Sequence, residues 1–346
     1  VSRILLEDMQ QIVADTNIPW NSMQDSTVLI TGATGTIGSA IVRALYAANQ
    51  QLKLNIKILT FGRDTEKAKP LVSLYGAEFI FQDICEAVKV DGSVDYIFHC
   101  AAVTKSFEMV SNPVGVIETS IKGTFNILTL AKRKHVKSMI YLSSMEVYGL
   151  TDPDIPSVSE ADLGYIDLKN PRSCYPESKR MCESLCNSYF SQYDVPVKIA
   201  RLAQTFGAGC VKDDPRVFGQ FSRSALARKN IVLHTEGRSR GNYCYISDAI
   251  RGILLLLLKG ENGEAYNIAN PEASVTVREM AEIVADKVCG GRISVNVDVP
   301  PDVASRGYAP DVTMRLNVDK IKKLSWQPVY GLAEMYERMI AEWRGR

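Results

Sequence analysis

One short stretch, Gly32-Ala33-Thr34-Gly35-Thr36-Ile37-Gly38, constrains this chain more than any other. It follows the apolar run Thr27-Val28-Leu29-Ile30-Thr31 and precedes Ser39 to Ala48, which reads as a helix. The first glycine permits a tight turn. The second lets the backbone approach a diphosphate, and the third lets the helix pack close on the strand. The helix N-terminus then presents free N–H groups and the positive end of its dipole. Such glycine spacing is weak alone. Set between a strand and a helix it points to a dinucleotide site, with Gly32, Thr34, Gly35, Thr36, Ile37 and Gly38 as contacts.

The same alternation continues downstream. Ile56 to Phe61, Glu78 to Phe81, Tyr96 to Cys100, Met139 to Leu142 and Val197 to Leu202 are short apolar runs, and helical stretches such as Val114 to Lys134 and Glu177 to Tyr193 lie between them. Strands apolar throughout and separated by helices imply an α/β chain with a doubly wound parallel sheet covered on both faces. After Arg201 the pattern weakens. Gly207 to Pro215 reads as a loop and Val217 to Arg228 as a helix. Thr276-x-x-Glu279 reads as a capping box opening a helix to Val288. Pro300-Pro301 to Pro310 reads as irregular, and Leu332, Met335, Tyr336, Met339, Ile340 and Trp343 form the apolar stripe of a last helix. These features predict an N-terminal helical appendage over 1–24 and a dinucleotide-binding domain over 25–203, to which a strand and helix near 243–268 return. A smaller α/β substrate-binding domain, over 204–242 and 269–346, is expected across the carboxyl edge of the sheet, where open α/β sheets take ligands. Pro19 to Ser22 reads as a linker.

Charge narrows the function classes. Forty Lys and Arg stand against 39 Asp and Glu, a formal net charge of +1. Such a balance gives no global reason to bind nucleic acid or an anionic membrane. The longest apolar run, Ile253 to Leu258, is too short to span a bilayer. Two acids, Glu7 and Asp8, stand where a signal peptide has its apolar core. The expectation is a cytoplasmic protein. None of the eight cysteines forms C-x-x-C, Cys182 and Cys186 read as packed thiols, and the three histidines make no metal cluster.

Two further features carry chemistry. Tyr175-Pro176-Glu177-Ser178-Lys179 places a phenol and an ammonium on one face of a helix starting at Pro176. A phenol near pKa 10 is a poor base; a neighbouring ammonium and a nicotinamide cation lower that value. Tyr175 is then able to take a proton from an alcohol as hydride leaves. Ser143-Ser144, at the tip of an apolar strand, adds a hydroxyl for the same oxygen. At the second strand's tip, Thr60-Phe61-Gly62-Arg63-Asp64 lacks the acid that binds a ribose 2′-hydroxyl, and Arg63 is placed for a 2′-phosphate. NADP is therefore favoured over NAD, unless Asp64 swings to the ribose. Asp83-Ile84 is a candidate adenine clamp.

These residues resemble the extended short-chain dehydrogenase/reductase family, the nucleotide-sugar epimerases and dehydratases. The matching pieces are Thr31 to Gly38, His99-Cys100-Ala101-Ala102, Leu142 to Gly149, Tyr175 to Lys179, Tyr245-Ile246-Ser247-Asp248 and Leu324 to Pro328. Arg172-Ser173-Cys174-Tyr175 is most similar to UDP-glucuronate decarboxylases, and the chain is locally similar to 4,6-dehydratases of dTDP-glucose type as well. The resemblance implies a Rossmann-type fold and a bound NAD(P) that oxidises an NDP-hexose at C4, touched also by Ala101 and Ala102. It further implies a homodimer joined by a four-helix bundle, and a usual setting in polysaccharide biosynthesis. It makes Tyr175 the base, Lys179 its partner, Ser144 the orienting hydroxyl and Glu146 a proton carrier. Ser144, Met145, Gln204, Arg216 and Arg240 become substrate contacts.

Some positions depart from the family. Met145 stands where dehydratases carry an acid and decarboxylases a serine. Gln204 and Ser120 replace asparagines, and Gly241 replaces an arginine for which Arg240 is a candidate substitute. The leading expectation is an NDP-hexose epimerase/dehydratase. The alternatives are an NADPH-dependent 4-keto-sugar reductase, a UDP-glucuronate decarboxylase-like enzyme, or a non-catalytic NADP-binding regulatory protein.

Overall fold

The computed structural model describes residues 1–152, 154–300 and 312–345; the irregular stretch expected over 301–310 lies outside them. The chain opens with α1 (Arg3–Val13), β1 (Thr27–Thr31), α2 (Thr36–Leu52), β2 (Lys57–Gly62), α3 (Thr65–Tyr75), β3 (Glu78–Phe81) and β4 (Tyr96–His99). It continues with α4 (Ser106–Ser111), α5 (Pro113–Lys134), β5 (Ser138–Ser144), α6 (Cys174–Tyr193) and β6 (Val197–Leu202). The second half holds β7 (Gln204–Phe206), α7 (Val217–Ala227), β8 (Ile231–Leu233), β9 (Arg240–Tyr245), α8 (Ile246–Lys259), β10 (Ala265–Ile268), β11 (Asn270–Thr276), α9 (Val277–Ile283), β12 (Val295–Val297), α10 (Asp319–Lys322) and α11 (Leu332–Arg344).

Seven strands form one sheet in the order β10-β6-β5-β4-β1-β2-β3, and every pairing in it is parallel. Strand order reverses at β1, so a crevice opens beyond the carboxyl ends of β1 and β4, the usual ligand position in such sheets. Alternation along the strands builds two cores. Val28 and Ile30 face one side, with α1, α2, α8 and α11. Leu29, Ile97, Met139 and Tyr141 face the other, with α5 and α6. Apolar residues on both faces are what a sheet sandwiched between helices requires. Beyond it lie a three-stranded sheet, β11-β9-β7, and the parallel pair β12-β8.

Helix ends follow local chemistry. The Asp64 side chain caps α3 by accepting from the Lys67 N–H, and Asn112 caps α5 just before Pro113. Thr276 and Glu279 form the expected capping box. Four boundaries differ from expectation. α2 starts at Thr36 rather than Ser39, because the turn itself winds into the first helical residues. α6 starts at Cys174 rather than Pro176, leaving the proline inside the first turn, where its missing N–H costs nothing. The helix expected to reach Val288 finishes as a π turn over Val284–Val288. The linker at Pro19 to Ser22 contains one helical turn, Trp20–Met23, with Trp20 and Met23 buried. The N-terminal helix packs on the domain, with Met9, Ile12 and Val13 in the larger core. No helix among the described residues is long and apolar enough to cross a membrane.

Candidate active site

The glycine turn sits where the sheet opens. Gly32 has φ +63°, and a Cβ there would lie 2.8 Å from the Ala101 backbone, so the turn is pressed against the end of β4. Gly38 is the contact between α2 and β1, where a Cβ would come within 2.4 Å of the Gly32 carbonyl oxygen. Gly35 differs. It precedes the first residue of α2, is exposed, and meets only the Gly32 oxygen, at 3.3 Å. Thr34, Thr36 and Ile37 are partly exposed around it. A side chain at Gly35 would stand at the α2 N-terminus, over the free N–H groups that suit a diphosphate. The cradle therefore fits a dinucleotide.

Behind it, His99 ties three elements together. Its Nδ1 lies 2.8 Å from the Thr31 hydroxyl and its Nε2 lies 3.2 Å from that of Thr124. Burial holds the imidazole near pKa 3, so it stays neutral. Thr31 Oγ1 also accepts the Ala101 N–H, fixing the chain that leads to Ala102. At the far end of the crevice Arg63 pairs with Asp83 at 3.1 Å. Asp83 also accepts the Cys85 N–H, and Ile84 is buried against Gly123. Asp64 is engaged as the α3 cap and pairs with Lys67, so it does not turn toward a ribose. Arg63, paired with Asp83, is the cation at the tip of β2.

The tip of β5 splits its two serines by strand alternation. Ser143 is buried and donates to Glu183, which pairs with Arg201 at 2.6 Å. Ser144 points the other way; its hydroxyl accepts the Glu146 N–H at 3.2 Å and acts to lower the pKa of the Tyr175 phenol. Tyr175, in the first turn of α6, is 7% exposed. Burial, the largest effect, and the Glu146 charge push its pKa above the ordinary phenol range; Ser144, Arg172 and Arg216 oppose them. Lys179, one turn further along α6, is anchored to β5. Its ammonium donates to the Leu142 carbonyl at 2.6 Å and lies 5.8 Å from the Tyr175 ring centre. Burial lowers its own pKa.

Glu146 follows Ser144 in a helical turn over Met145–Tyr148. Arg172 grips both of its oxygens, at 2.9 and 3.2 Å. This clamp was missed in the sequence, although an arginine three residues before the tyrosine was its visible signal. Met145 is partly buried against the core and brings no proton donor.

The substrate side is more dispersed. Gln204 opens β7 and is partly exposed. Arg216, just before α7, is held by Asp214 at 2.7 Å, and its charge reaches Tyr175. Arg240 does not stand in for the arginine missing at Gly241. It donates to the Ser274 carbonyl at 2.6 Å and pairs with Glu279, because neighbours on a strand face opposite ways. Arg238 is exposed. Ser120 is buried, and its hydroxyl has no hydrogen-bond partner among the described residues.

Comparison with known proteins gives the arrangement a context. Residues 28–269 match the model of a family described as NAD dependent epimerase/dehydratase. A UDP-glucuronic acid decarboxylase 5 of Arabidopsis thaliana is 32% identical over 320 residues, covering 92% of this chain and 89% of its own. Among solved structures, a UDP-glucose 4-epimerase of Thermotoga maritima superposes with TM-score 0.77 at 21% identity, covering 92% of this chain and 98% of its own. A UDP-glucuronic acid 4-epimerase of Bacillus cereus, in complex with NAD, superposes with TM-score 0.74 at 23% identity, covering 92% and 98%.

Proposed function

The chain belongs to the NAD-dependent epimerase/dehydratase family and is an enzyme, and from that premise we propose that it oxidises a nucleoside-diphosphate sugar at C4 and then works at C5. One observation carries the reading: the Tyr175 phenol, at the carboxyl edge of the sheet, feels both the Ser144 hydroxyl and the Arg172-clamped Glu146. Ser144 orients the C4 hydroxyl and Tyr175 takes its proton. Lys179, fixed on Leu142, is close enough to hold a ribose hydroxyl of the dinucleotide. A nicotinamide held there would supply the acceptor for the C4 hydride and the means to return it. Gly32, Thr34, Gly35, Thr36, Ile37 and Gly38 hold the diphosphate of that cofactor, with Ala101 and Ala102 beside the nicotinamide half and Asp83 and Ile84 at the adenine.

A C4 ketone acidifies C5 and makes a C6 carboxylate a β-keto acid. Loss of carbon dioxide from it needs no acid to expel a hydroxyl. Met145 supplies none, which argues against elimination. The electron pair left at C5 then needs one proton, which comes from water and is relayed by Glu146, whose carboxylate ends as it began, paired with Arg172. The decarboxylase relative supports a UDP-hexuronate as substrate and decarboxylation as outcome. Arg216 and Gln204 take the sugar diphosphate, the guanidinium fork matching phosphate oxygens. The labour divides accordingly, with 25–203 and 243–268 holding the dinucleotide, and 204–242 and 269–346 the sugar.

Arg63 supports NADP as the preferred cofactor, because Asp64 is occupied as a helix cap. It also keeps a second reading in play, an NADPH-dependent 4-keto-sugar reductase. Ile117 and Phe125 on α5 and Met181 on α6 are exposed, which supports a dimer across these helices. Eight free thiols support a reducing, cytoplasmic setting. The test is mass spectrometry after incubation with UDP-glucuronate and a panel of neutral NDP-hexoses. Loss of carbon dioxide without added NADPH is the expected result. Loss of water, unchanged mass with altered retention, or gain of two hydrogens would redirect the assignment to dehydratase, epimerase or reductase. No change with any sugar would reject it.

A further inference from the structure

We propose that Asp8, on the N-terminal helix, is a positioning residue for the sugar-diphosphate side of the site, acting through Tyr245 on the segment that carries Arg216. The inference rests on the reading that Arg216 holds the diphosphate.

Asp8 is 4% exposed. One of its oxygens accepts the Tyr245 hydroxyl at 2.9 Å, and the other pairs with Arg338 of α11 at 2.7 Å. Arg338 also donates to the Tyr245 oxygen at 3.2 Å and to Glu7 at 3.3 Å. The phenol of Tyr245 is thus held from two sides. Its oxygen in turn accepts the Ala208 N–H, at 3.5 Å.

The chain from Gly207 to Cys210 lies directly on this assembly. A Cβ at Gly207 would come within 2.5 Å of the Tyr245 ring. Gly209 has φ +95°, and a Cβ there would meet the Arg43 guanidinium at 2.8 Å and the Leu5 side chain of α1 at 3.6 Å. The Cys210 carbonyl accepts the Trp343 indole N–H at 2.9 Å. A few residues on, Asp214 orients Arg216, whose charge acts on Tyr175. A buried carboxylate on α1 is therefore linked, through Tyr245 and the segment from Gly207 onward, to the stretch of chain that carries Arg216, whose charge acts on Tyr175.

Simple attachment of α1 does not require this arrangement. The far end of the helix has its own buried ion pair, Asp15 with Arg251 at 2.7 Å, and its apolar stripe packs in the core. Burying an extra carboxylate is costly unless it is paired. Asp8, by contrast, accepts a hydrogen bond from Tyr245, on which the 207–210 segment rests.

The two anchors separate positioning from mere attachment. Asp8→Asn, Tyr245→Phe and Asp15→Asn are each made in the full chain. UDP affinity of the cofactor-loaded protein is measured by calorimetry, together with cofactor affinity and melting temperature. Asp8→Asn and Tyr245→Phe are expected to weaken UDP by about fivefold, the factor equivalent to one net hydrogen bond, and to leave cofactor affinity unchanged. Asp15→Asn is expected to lower the melting temperature and leave UDP affinity unchanged. Wild-type UDP affinity in both Asp8→Asn and Tyr245→Phe would overturn the proposal. Equal weakening by Asp15→Asn would also overturn it, reducing α1 to a structural support. If the wild type itself binds no UDP, the assignment of the site falls first, and the role of Asp8 with it.

Discussion

The two glycines at the start of α2 give opposite predictions under the same substitution. In Gly38→Ala the added methyl meets backbone, 2.4 Å from the Gly32 oxygen and 2.7 Å from Ala33 Cα. Gly32 has no room to retreat, because it is itself pressed on Ala101. α2 must then lift from the sheet, although Ile41, Val42, Leu45 and other residues of it are buried in the core. Overpacking of this kind costs roughly 1–3 kcal/mol. At roughly 2–4 °C per kcal/mol for sizeable domains, the melting midpoint should fall by about 2–12 °C. In Gly35→Ala the methyl meets one atom at 3.3 Å, and φ is −79°, which any residue adopts. Its cost to the fold should stay below about 1 kcal/mol, the difference between glycine and alanine at a helix cap. That methyl nevertheless stands where the diphosphate has to approach. Cofactor affinity should drop by about tenfold or more, equivalent to ~1.4 kcal/mol. Differential scanning fluorimetry and quenching of protein fluorescence by NAD or NADP read the two effects separately. A Gly38→Ala protein as stable as wild type, or a Gly35→Ala protein that keeps full cofactor affinity, would refute the reasoning.

Two other perturbations follow from the site. Glu183→Gln leaves the buried Arg201 guanidinium without its countercharge, the pair being 9% and 6% exposed. Chemical denaturation should show a loss of roughly 3–5 kcal/mol, and a loss within error of zero would mean that the pair is dispensable. Glu146→Gln removes a negative charge that raises the Tyr175 pKa. The phenolate then forms at lower pH, so the rising limb of the pH profile for cofactor reduction should move to the acid side by about one unit. A shift to the alkaline side would contradict the electrostatics described for this phenol.

How far the molecule was legible in its sequence depended on how local each signal was. The strands Thr27–Thr31 and Val197–Leu202 fall on their apolar runs, because a strand buried on both faces needs an unbroken run; Glu78–Phe81 falls on its run too, although it is an edge strand with exposed ends. The capping box at Thr276 was readable for a similar reason, both partners lying three residues apart. The three-residue strands β7, β8 and β12 were not, being too short to carry a period. Pairings across long sequence gaps were equally hidden. Nothing near Arg240 announces Glu279, and nothing near Asp8 announces Tyr245 and Arg338. The Tyr175–Lys179 spacing placed both residues correctly in α6 but said nothing of the Leu142 carbonyl that engages the ammonium. Nor did it disclose the burial that raises the phenol.

The central claim is that Tyr175 removes the C4 hydroxyl proton as hydride leaves for the cofactor. Its most direct test is stopped-flow absorbance in the near-ultraviolet band of reduced nicotinamide, with the cofactor-loaded enzyme mixed with UDP-glucuronate. The account predicts a transient rise for the wild type, slowed by deuterium at C4. It predicts no such rise for Tyr175→Phe, despite unchanged sugar-nucleotide binding. A Tyr175→Phe protein that reduces its cofactor at the wild-type rate would contradict it.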